Sequence, residues 1–129
     1  MFRAEQEIIN DFVRRYVDRS FRVYWNKMSF ELKNGFAHDQ AVFRCCRALH
    51  LLGVPFATEV RLRCGNVADI VCPTHIKPLI EVLASETDFS LSKKLLRLPE
   101  ELRGEVLLLR AVVVNKLSPE EIDEAVFIR

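Results

Sequence analysis

The chain has 129 residues, half of them hydrophobic, which suffices for one domain with its own core. A formal net charge of +1 excludes a strong overall field that would draw the chain to nucleic acid or to a membrane. No apolar run of about eighteen residues and no secretion signal occurs, so we expect an intracellular protein, cytoplasmic or nucleoid-associated, without a membrane partner.

The first part of the chain predicts two helices separated by an aromatic segment. Residues 3–18 place apolar side chains at helical spacing, with charged residues on the other faces. Residues 20–32 are rich in aromatics and predict one or two short strands, ending at an Asn-Gly turn signal at 34–35. Residues 37–52 return to helical spacing, and Gly53 follows where a left-handed C-cap is expected.

Three strand-like stretches follow, at 54–64, 66–72 and 78–87, and a short turn predicts a hairpin between the first two. Successive side chains of a strand point to opposite faces of the sheet. In the first stretch this period predicts one face with Phe56, Thr58, Val60 and Leu62, and an opposite face with Ala57, Glu59, Arg61 and Arg63. In the other two it groups Asp69 with Val67 and Val71, and Glu81 with Leu79 and Leu83.

The last part of the chain predicts a helix, a strand and a second helix. Residues 88–102 have helical character, with a break or kink at Pro99. Residues 105–114 are apolar and rich in β-branched side chains, which predicts a strand buried on both faces. Ser118 and Glu121 form a capping box that begins the final helix.

The most informative residues are three acids, Glu59, Asp69 and Glu81, each in the middle of one of the strand-like stretches. A carboxylate in a half-buried strand is costly to desolvate unless an opposite charge compensates it. Three acids on neighbouring strands therefore indicate a site for a divalent cation or for basic side chains. Arg61 and Arg63 share a predicted strand face with Glu59, so an internal ion pair stays open as an alternative to a metal.

The order of these elements and the positions of the acids resemble the PD-(D/E)xK nuclease superfamily, which has the restriction-endonuclease-like fold. The resemblance covers residues 37–114. It implies an α/β fold built from a helix, a three-stranded antiparallel meander, a helix and a fourth strand that lies parallel in a mixed sheet. Residues 1–36 would then be an N-terminal helical extension and residues 115–129 a C-terminal helix of the same domain.

The family motif consists of an acid on the first helix or strand, an aspartate on the second strand, and (D/E)-x-K on the third. Glu59 in TEVRL matches the first acid, Asp69 in ADIV the second, and Glu81 in IEVLASET the third. The resemblance implies that these three residues are catalytic and bind Mg²⁺ or Mn²⁺.

The chain departs from the motif at Leu83, which stands where the family carries its lysine. That lysine helps to orient the attacking water and balances negative charge, and an apolar side chain does neither. In some relatives the lysine lies on the following helix. This makes Lys93 the candidate catalytic lysine, with Lys94 next to it and Lys77 as a weaker choice.

Four basic residues are candidates for binding nucleic acid, because their side chains hold phosphates well. They are Arg22, Arg61, Arg63 and Lys94. Around Arg22, basic residues alternate with aromatics, which suits base stacking, packing on the sheet or a homodimer interface.

Two interpretations remain from the sequence. One is a metal-dependent nuclease that acts on DNA phosphodiesters, with DNA favoured over RNA. The other is a catalytically inactive nuclease-fold module that binds nucleic acid or serves in protein assembly. The loss of the motif lysine at Leu83 favours the second interpretation, whereas the three retained acids favour the first.

Overall fold

The computed structural model of the chain describes residues 2–28, 35–85 and 87–126. In chain order its elements are α1 (Phe2–Tyr16), α2 (Phe36–Leu51), β1 (Ala57–Arg61), β2 (Val67–Val71), β3 (Leu79–Leu83), α3 (Asp88–Arg97), α4 (Glu100–Arg103), β4 (Val106–Arg110), α5 (Ala111–Val114) and α6 (Pro119–Val126). The predicted order of two helices, three strands, helix, strand and helix is confirmed, with one predicted helix divided in two and one short helix added.

The four strands form one open, mixed sheet in the order β1-β2-β3-β4. Strands β1, β2 and β3 make an antiparallel meander, and β4 lies parallel to β3 after the crossover through α3 and α4. The architecture is therefore α/β, as the sequence predicts. Among the described residues, no helix is both long and apolar enough to cross a membrane.

Helices cover both faces of the sheet, and the sheet separates the core into two layers. The first layer joins α2, α5 and α6 to one face, and it includes Cys45, Leu49, Phe56, Ile70, Ile80, Val82, Val114 and Val126. The second layer joins α1, α3 and α4 to the other face, and it includes Phe12, Val17, Ala57, Val60, Leu62, Ala68, Val71, Leu79, Leu98 and Leu102. Burial of these apolar side chains supplies most of the driving force for folding.

Two predicted caps are confirmed. Gly53 has a φ of 73°, and the N–H groups of Gly53 and Val54 donate to the carbonyls of His50 and Leu49, which ends α2 in a Schellman motif. At the start of α6, Ser118 N–H donates to Glu121 Oε1 at 2.9 Å, while Glu121 N–H donates to Ser118 Oγ at 3.2 Å. This is the reciprocal capping box.

The predicted strand at 105–114 is wrong in its second half and in its burial. Strand β4 ends at Arg110, and residues 111–114 form a helical turn. Because β4 is an edge strand, Leu108 stays exposed, and the helical turn lets Ala111 and Val114, three residues apart, pack into the first core layer.

The helix predicted at 88–102 is interrupted at Pro99. Leu98, before the proline, has an extended backbone, and α4 begins after it at Glu100. For the aromatic segment predicted as one or two strands, residues 20–28 contain none, and the prediction for 29–34 lies outside the described residues. Close to this segment, an isolated antiparallel bridge joins Val17 to Leu62.

The predicted faces of β1 are wrong from Val60 onward, because Glu59 has a left-handed φ of 50°. Phe56 packs in the first core layer, but Val60 and Leu62 pack in the second, together with Ala57. A left-handed residue interrupts the two-residue alternation of a strand.

The two-residue alternation is also interrupted in β2, at the residues that pair with this part of β1. Ala68 and Val71, which pair with Val60 and Ala57, also lie in the second layer, although they are three residues apart. Val67, at the start of β2, is exposed, whereas Val71 is buried. The sheet is therefore irregular at the level of Glu59 and Asp69.

Candidate functional site

The pairing of β2 with β3 opens at Asp69 and Glu81. Main-chain pairing holds Ile70 opposite Ile80 and Val71 opposite Leu79, and the next positions along the two strands are the two acids. Here side chains take the place of the backbone hydrogen bonds between the strands, since the Asp69 N–H donates to Glu81 Oε2 at 3.1 Å. In return, the Val82 N–H donates to Asp69 Oδ2 at 2.8 Å. Each carboxylate is thus fixed by the backbone of the opposite strand.

Lys94 reaches this pair from α3, which packs on the second-layer face of the sheet. Its Nζ lies 2.7 Å from Glu81 Oε1, and the Glu81 side chain is only 10% exposed. Asn66, in the turn between β1 and β2, donates from Nδ2 to the carbonyl of Lys94 at 2.7 Å. This bond ties α3 to the meander at the residue whose side chain contacts the acid.

His38 reaches the same pair from α2, which packs on the first-layer face. Its Nε2 lies 3.3 Å from Asp69 Oδ2, and its Nδ1 lies 3.2 Å from Asp39 Oδ1. His38 is buried in the first turn of α2. Sequence analysis did not select this histidine, although an adjacent His-Asp pair at the start of the helix before the meander was a usable signal.

The ionisation of the cluster follows from its burial and its short contacts. Burial, the nearby charge of Asp69 and their hydrogen bond raise the pKa of Glu81 to about 8, against the opposing effect of Lys94. Burial also acts on Asp69, but hydrogen bonds from His38, from Glu81 and from the Val82 N–H keep its pKa below the ordinary value. At neutral pH, Asp69 is therefore ionised and shares a proton with Glu81.

The same hydrogen bond explains the charge of His38. Its bond to Asp69 raises the pKa of His38 to about 9, although burial acts in the opposite direction. His38 is therefore cationic at neutral pH. The basic side chains in contact with Asp69 and Glu81 are thus His38 and Lys94, whereas the internal ion-pair alternative named Arg61 and Arg63.

The acidic pair lies at the floor of an open groove of about 1180 Å³. It is lined by residues of the segment from Phe21 to Met28, of the meander and of α3. Three acids line it, namely Glu59, Asp69 and Glu81. Six lysines and arginines also line it, as does His38; the six are Arg22, Lys27, Arg61, Lys93, Lys94 and Arg97. Such a groove can take a polyanion while presenting carboxylates at its centre.

The structure places Glu59 near the pair but outside its hydrogen bonds. Glu59 lies opposite Asp69 in the β1–β2 register and lines the groove, half-buried. Within the described ranges, no three His, Cys, Asp or Glu side chains are grouped closely enough to hold a metal ion. The carboxylates that the structure brings together are those of Asp69 and Glu81.

The two candidate lysines point in different directions. Lys94 contacts Glu81, whereas Lys93 Nζ lies over the ring of Phe89, 5.1 Å from its centroid, on the groove wall. Lys94 lies three residues after Leu91 and four before Leu98, on the stripe of α3 that faces the sheet, and Lys93 lies beside that stripe.

The candidate phosphate-binding arginines also separate. Arg22 and Arg61 line the groove, and the Arg22 guanidinium lies 5.4 Å from the centre of the Tyr24 ring. Arg63 instead anchors the end of α1, because its Nε donates to the carbonyl of Val17 at 3.0 Å and its Nη2 donates to the carbonyl of Arg14. The contacts of Arg63 are therefore those of a structural residue.

Comparisons of the chain with known protein families, with characterised proteins and with solved structures give no match.

Proposed function

We propose that this protein is a metal-dependent nuclease that hydrolyses DNA phosphodiesters, in which Asp69 and Glu81 bind the cation and Lys94 acts at the phosphate. The observation that carries the proposal is the 2.7 Å contact of Lys94 with Glu81, at the floor of a groove lined by basic residues. Phosphodiester hydrolysis requires compensation of the charge that develops on the phosphate oxygens, and a preorganised ammonium group supplies it.

The element order supports the same proposal. A helix, an antiparallel meander, a helix and a parallel fourth strand is the order of the restriction-endonuclease-like fold, and Asp69 and Glu81 lie on its second and third strands. Leu83 occupies the usual place of the lysine on β3. Lys94 would supply the missing ammonium group from the following helix.

The donor set suits a hard divalent cation such as Mg²⁺ or Mn²⁺. Such ions are often held by one or two carboxylates, while water and phosphate oxygens complete the coordination. Asp69 and Glu81 are two carboxylates on facing strands, and both line the groove that a phosphate would enter. Because the pKa of Glu81 is raised, binding of a cation would release the proton that the pair shares.

Each residue of the site has a distinct task in this proposal. When bound, the cation supplies a water of lowered pKa and stabilises negative charge on the phosphate. Lys94 donates a hydrogen bond from Nζ to the attacking water or to a phosphate oxygen. His38 fixes the orientation of Asp69 through Oδ2. Arg61 and Arg97, on the groove wall, hold the neighbouring phosphates of the strand.

One observation favours a second candidate, a nuclease-fold module without catalysis. His38 contacts Asp69 and Lys94 contacts Glu81, so both acids have basic partners without a metal ion. In that case the groove would bind nucleic acid through its basic walls, and the buried pair would serve only to hold β2, β3 and the two helices together.

A cleavage assay separates the two candidates. End-labelled DNA, in linear duplex, branched and single-stranded forms, is incubated with the protein in Mn²⁺, in Mg²⁺ and in EDTA. The nuclease proposal expects cleavage that depends on metal and is lost in Asp69→Asn, whose amide oxygen can still accept from the Val82 N–H. Binding of DNA without cleavage of any form, under all metal conditions, would overturn the nuclease and leave the binding module.

A further inference from the structure

We infer that the DNA bound in this groove is single-stranded, with at least two unpaired bases stacked on Tyr24 and Phe89. This inference rests on the proposed function, since it names the substrate class of the same site. The observation behind it is that two exposed aromatic rings line the groove and that a cation lies over each of them.

Tyr24 and Phe89 both lie outside the two core layers. Tyr24 is 56% exposed in the segment from Phe21 to Met28, and Phe89 is 73% exposed on the first turn of α3. Phe12 and Phe56, in contrast, are buried. Two exposed rings in the lining of one groove indicate a surface that a ligand covers.

A cation lies over each ring at a distance typical of a cation–π contact. The Arg22 guanidinium lies 5.4 Å from the centre of the Tyr24 ring, and Lys93 Nζ lies 5.1 Å from the centre of the Phe89 ring. A base stacked on the free side of such a ring would bring its phosphate close to the adjacent cation. Alternating rings and cations along a basic groove are the usual features of single-strand binding.

The geometry also distinguishes a single strand from a duplex. In a duplex the base faces are stacked on one another, and only their edges are accessible in the grooves. An aromatic side chain therefore stacks on a base only when that base is unpaired or flipped out. A single flipped base would occupy one ring, whereas two rings in the lining of one groove accommodate two bases of a continuous strand.

The inference is tested by binding, independently of cleavage. Asp69→Asn in EDTA is titrated against a fluorescent single strand of about 20 nucleotides and against the blunt duplex of the same sequence, with anisotropy as the readout. We expect the single strand to bind at least about tenfold more tightly. Tyr24→Ala and Phe89→Ala, each in the Asp69→Asn background, should each weaken single-strand binding about tenfold or more, with little effect on the duplex.

Phe36→Ala is the matched control, because Phe36 is 72% exposed, like Phe89, but does not line the groove. It should leave single-strand binding unchanged. A strand carrying 2-aminopurine gives a second readout: its quenching on binding should be lost in Tyr24→Ala and Phe89→Ala and retained in Phe36→Ala.

Equal or tighter binding of the duplex would overturn the inference, as would single-strand binding that neither aromatic substitution weakens. Both results leave the nuclease proposal standing, provided that the wild-type protein cleaves DNA with metal. Preferential single-strand binding in a protein that cleaves no DNA would have the opposite meaning, since it supports the stacking mode and removes the catalytic proposal.

Discussion

Lys94 and Glu81 meet at 2.7 Å between Nζ and Oε1, although one belongs to helix α3 and the other to strand β3. The contact provides an ammonium group beside the acidic pair in a chain whose third strand carries Leu83 instead of a lysine. Everything proposed for catalysis depends on this relationship, and it can be tested one residue at a time.

Lys94→Met should lower the rate of metal-dependent DNA cleavage by about 10²- to 10³-fold, the range for removal of one donor to a developing negative charge. The substitution keeps the length of the side chain but removes its charge. Single-turnover cleavage of labelled DNA in Mn²⁺ measures the effect on the chemical step.

Lys93→Met is the matched comparison, because Lys93 is adjacent in sequence but lies over Phe89 on the groove wall. It removes one cation from the wall, so we expect weaker DNA binding and a change of less than about tenfold in the single-turnover rate at saturating protein. Equal losses of rate in the two variants would contradict the role given to Lys94.

The choice between these lysines shows how far the sequence can define the site. The sequence gives a helix after the third strand and two lysines within it. Leu95 and Leu98 pack in the second core layer, and Lys94 lies four residues before Leu98 at helical spacing, which is a sequence signal that Lys94 and not Lys93 faces the sheet. The distance to Glu81 was not accessible, because it depends on where the whole helix packs on the sheet.

His38→Ala should lower the free energy of unfolding by about 1–3 kcal/mol, because Asp69 loses a charged partner in a buried site. His50→Ala, an exposed position on the same helix, should change it by less than about 0.5 kcal/mol. Urea denaturation of the metal-free proteins provides both values. A His38→Ala variant as stable as the wild type would mean that Asp69 does not depend on the histidine.

The stability of the metal-free protein should fall as the pH rises from about 6.5 to 8.5. His38 has a folded-state pKa of about 9, above its ordinary 6.5, so its contribution is complete below 6.5 and is lost as the pH rises through 9. Glu81 also makes the stability fall as the pH rises, since its pKa is raised from 4.5 to about 8. In both cases the folded state binds protons more tightly than the unfolded state.

Urea denaturation in EDTA at several pH values across this window measures the slope. The window stays below about pH 9, where ionisation of thiols in the unfolded chain would add to the slope, since burial raises the pKa of Cys45 and Cys72 in the folded state. Combining His38→Asn with Glu81→Gln should flatten the profile. A wild-type stability that rises with pH in this window would contradict the proton-sharing cluster.

At position 59, glycine should be more stable than alanine, which is the reverse of the order at an ordinary strand position. At an ordinary strand position, Gly is less stable than Ala by roughly 0.5–1 kcal/mol. Because Glu59 has a φ of 50°, we expect Glu59→Gly to be more stable than Glu59→Ala, by roughly 1 kcal/mol. The same pair of substitutions at Arg61, on the same strand, should give the ordinary order, and thermal denaturation of the four variants compares them.

Glu59 also marks the limit of prediction for the fold. Element order, caps and the acidic pair followed from local pattern, because Gly53, Ser118 and Glu121 act through neighbouring backbone groups. The left-handed φ of Glu59 could not be predicted in this way, since nothing in the sequence ATEVR distinguishes it from a regular strand. Its conformation is imposed by tertiary structure where the meander opens, and it reverses the faces of the residues that follow.

The central claim is that Asp69 and Glu81 bind a divalent cation, and calorimetric titration of the metal-free protein with Mn²⁺ tests it most directly. We expect one binding event that releases protons near neutral pH, is lost in Asp69→Asn and in Glu81→Gln, and persists in Glu105→Gln, a substitution outside the groove. No binding by the wild type at millimolar Mn²⁺, or binding unchanged in both groove variants, would contradict the metal site and with it the nuclease.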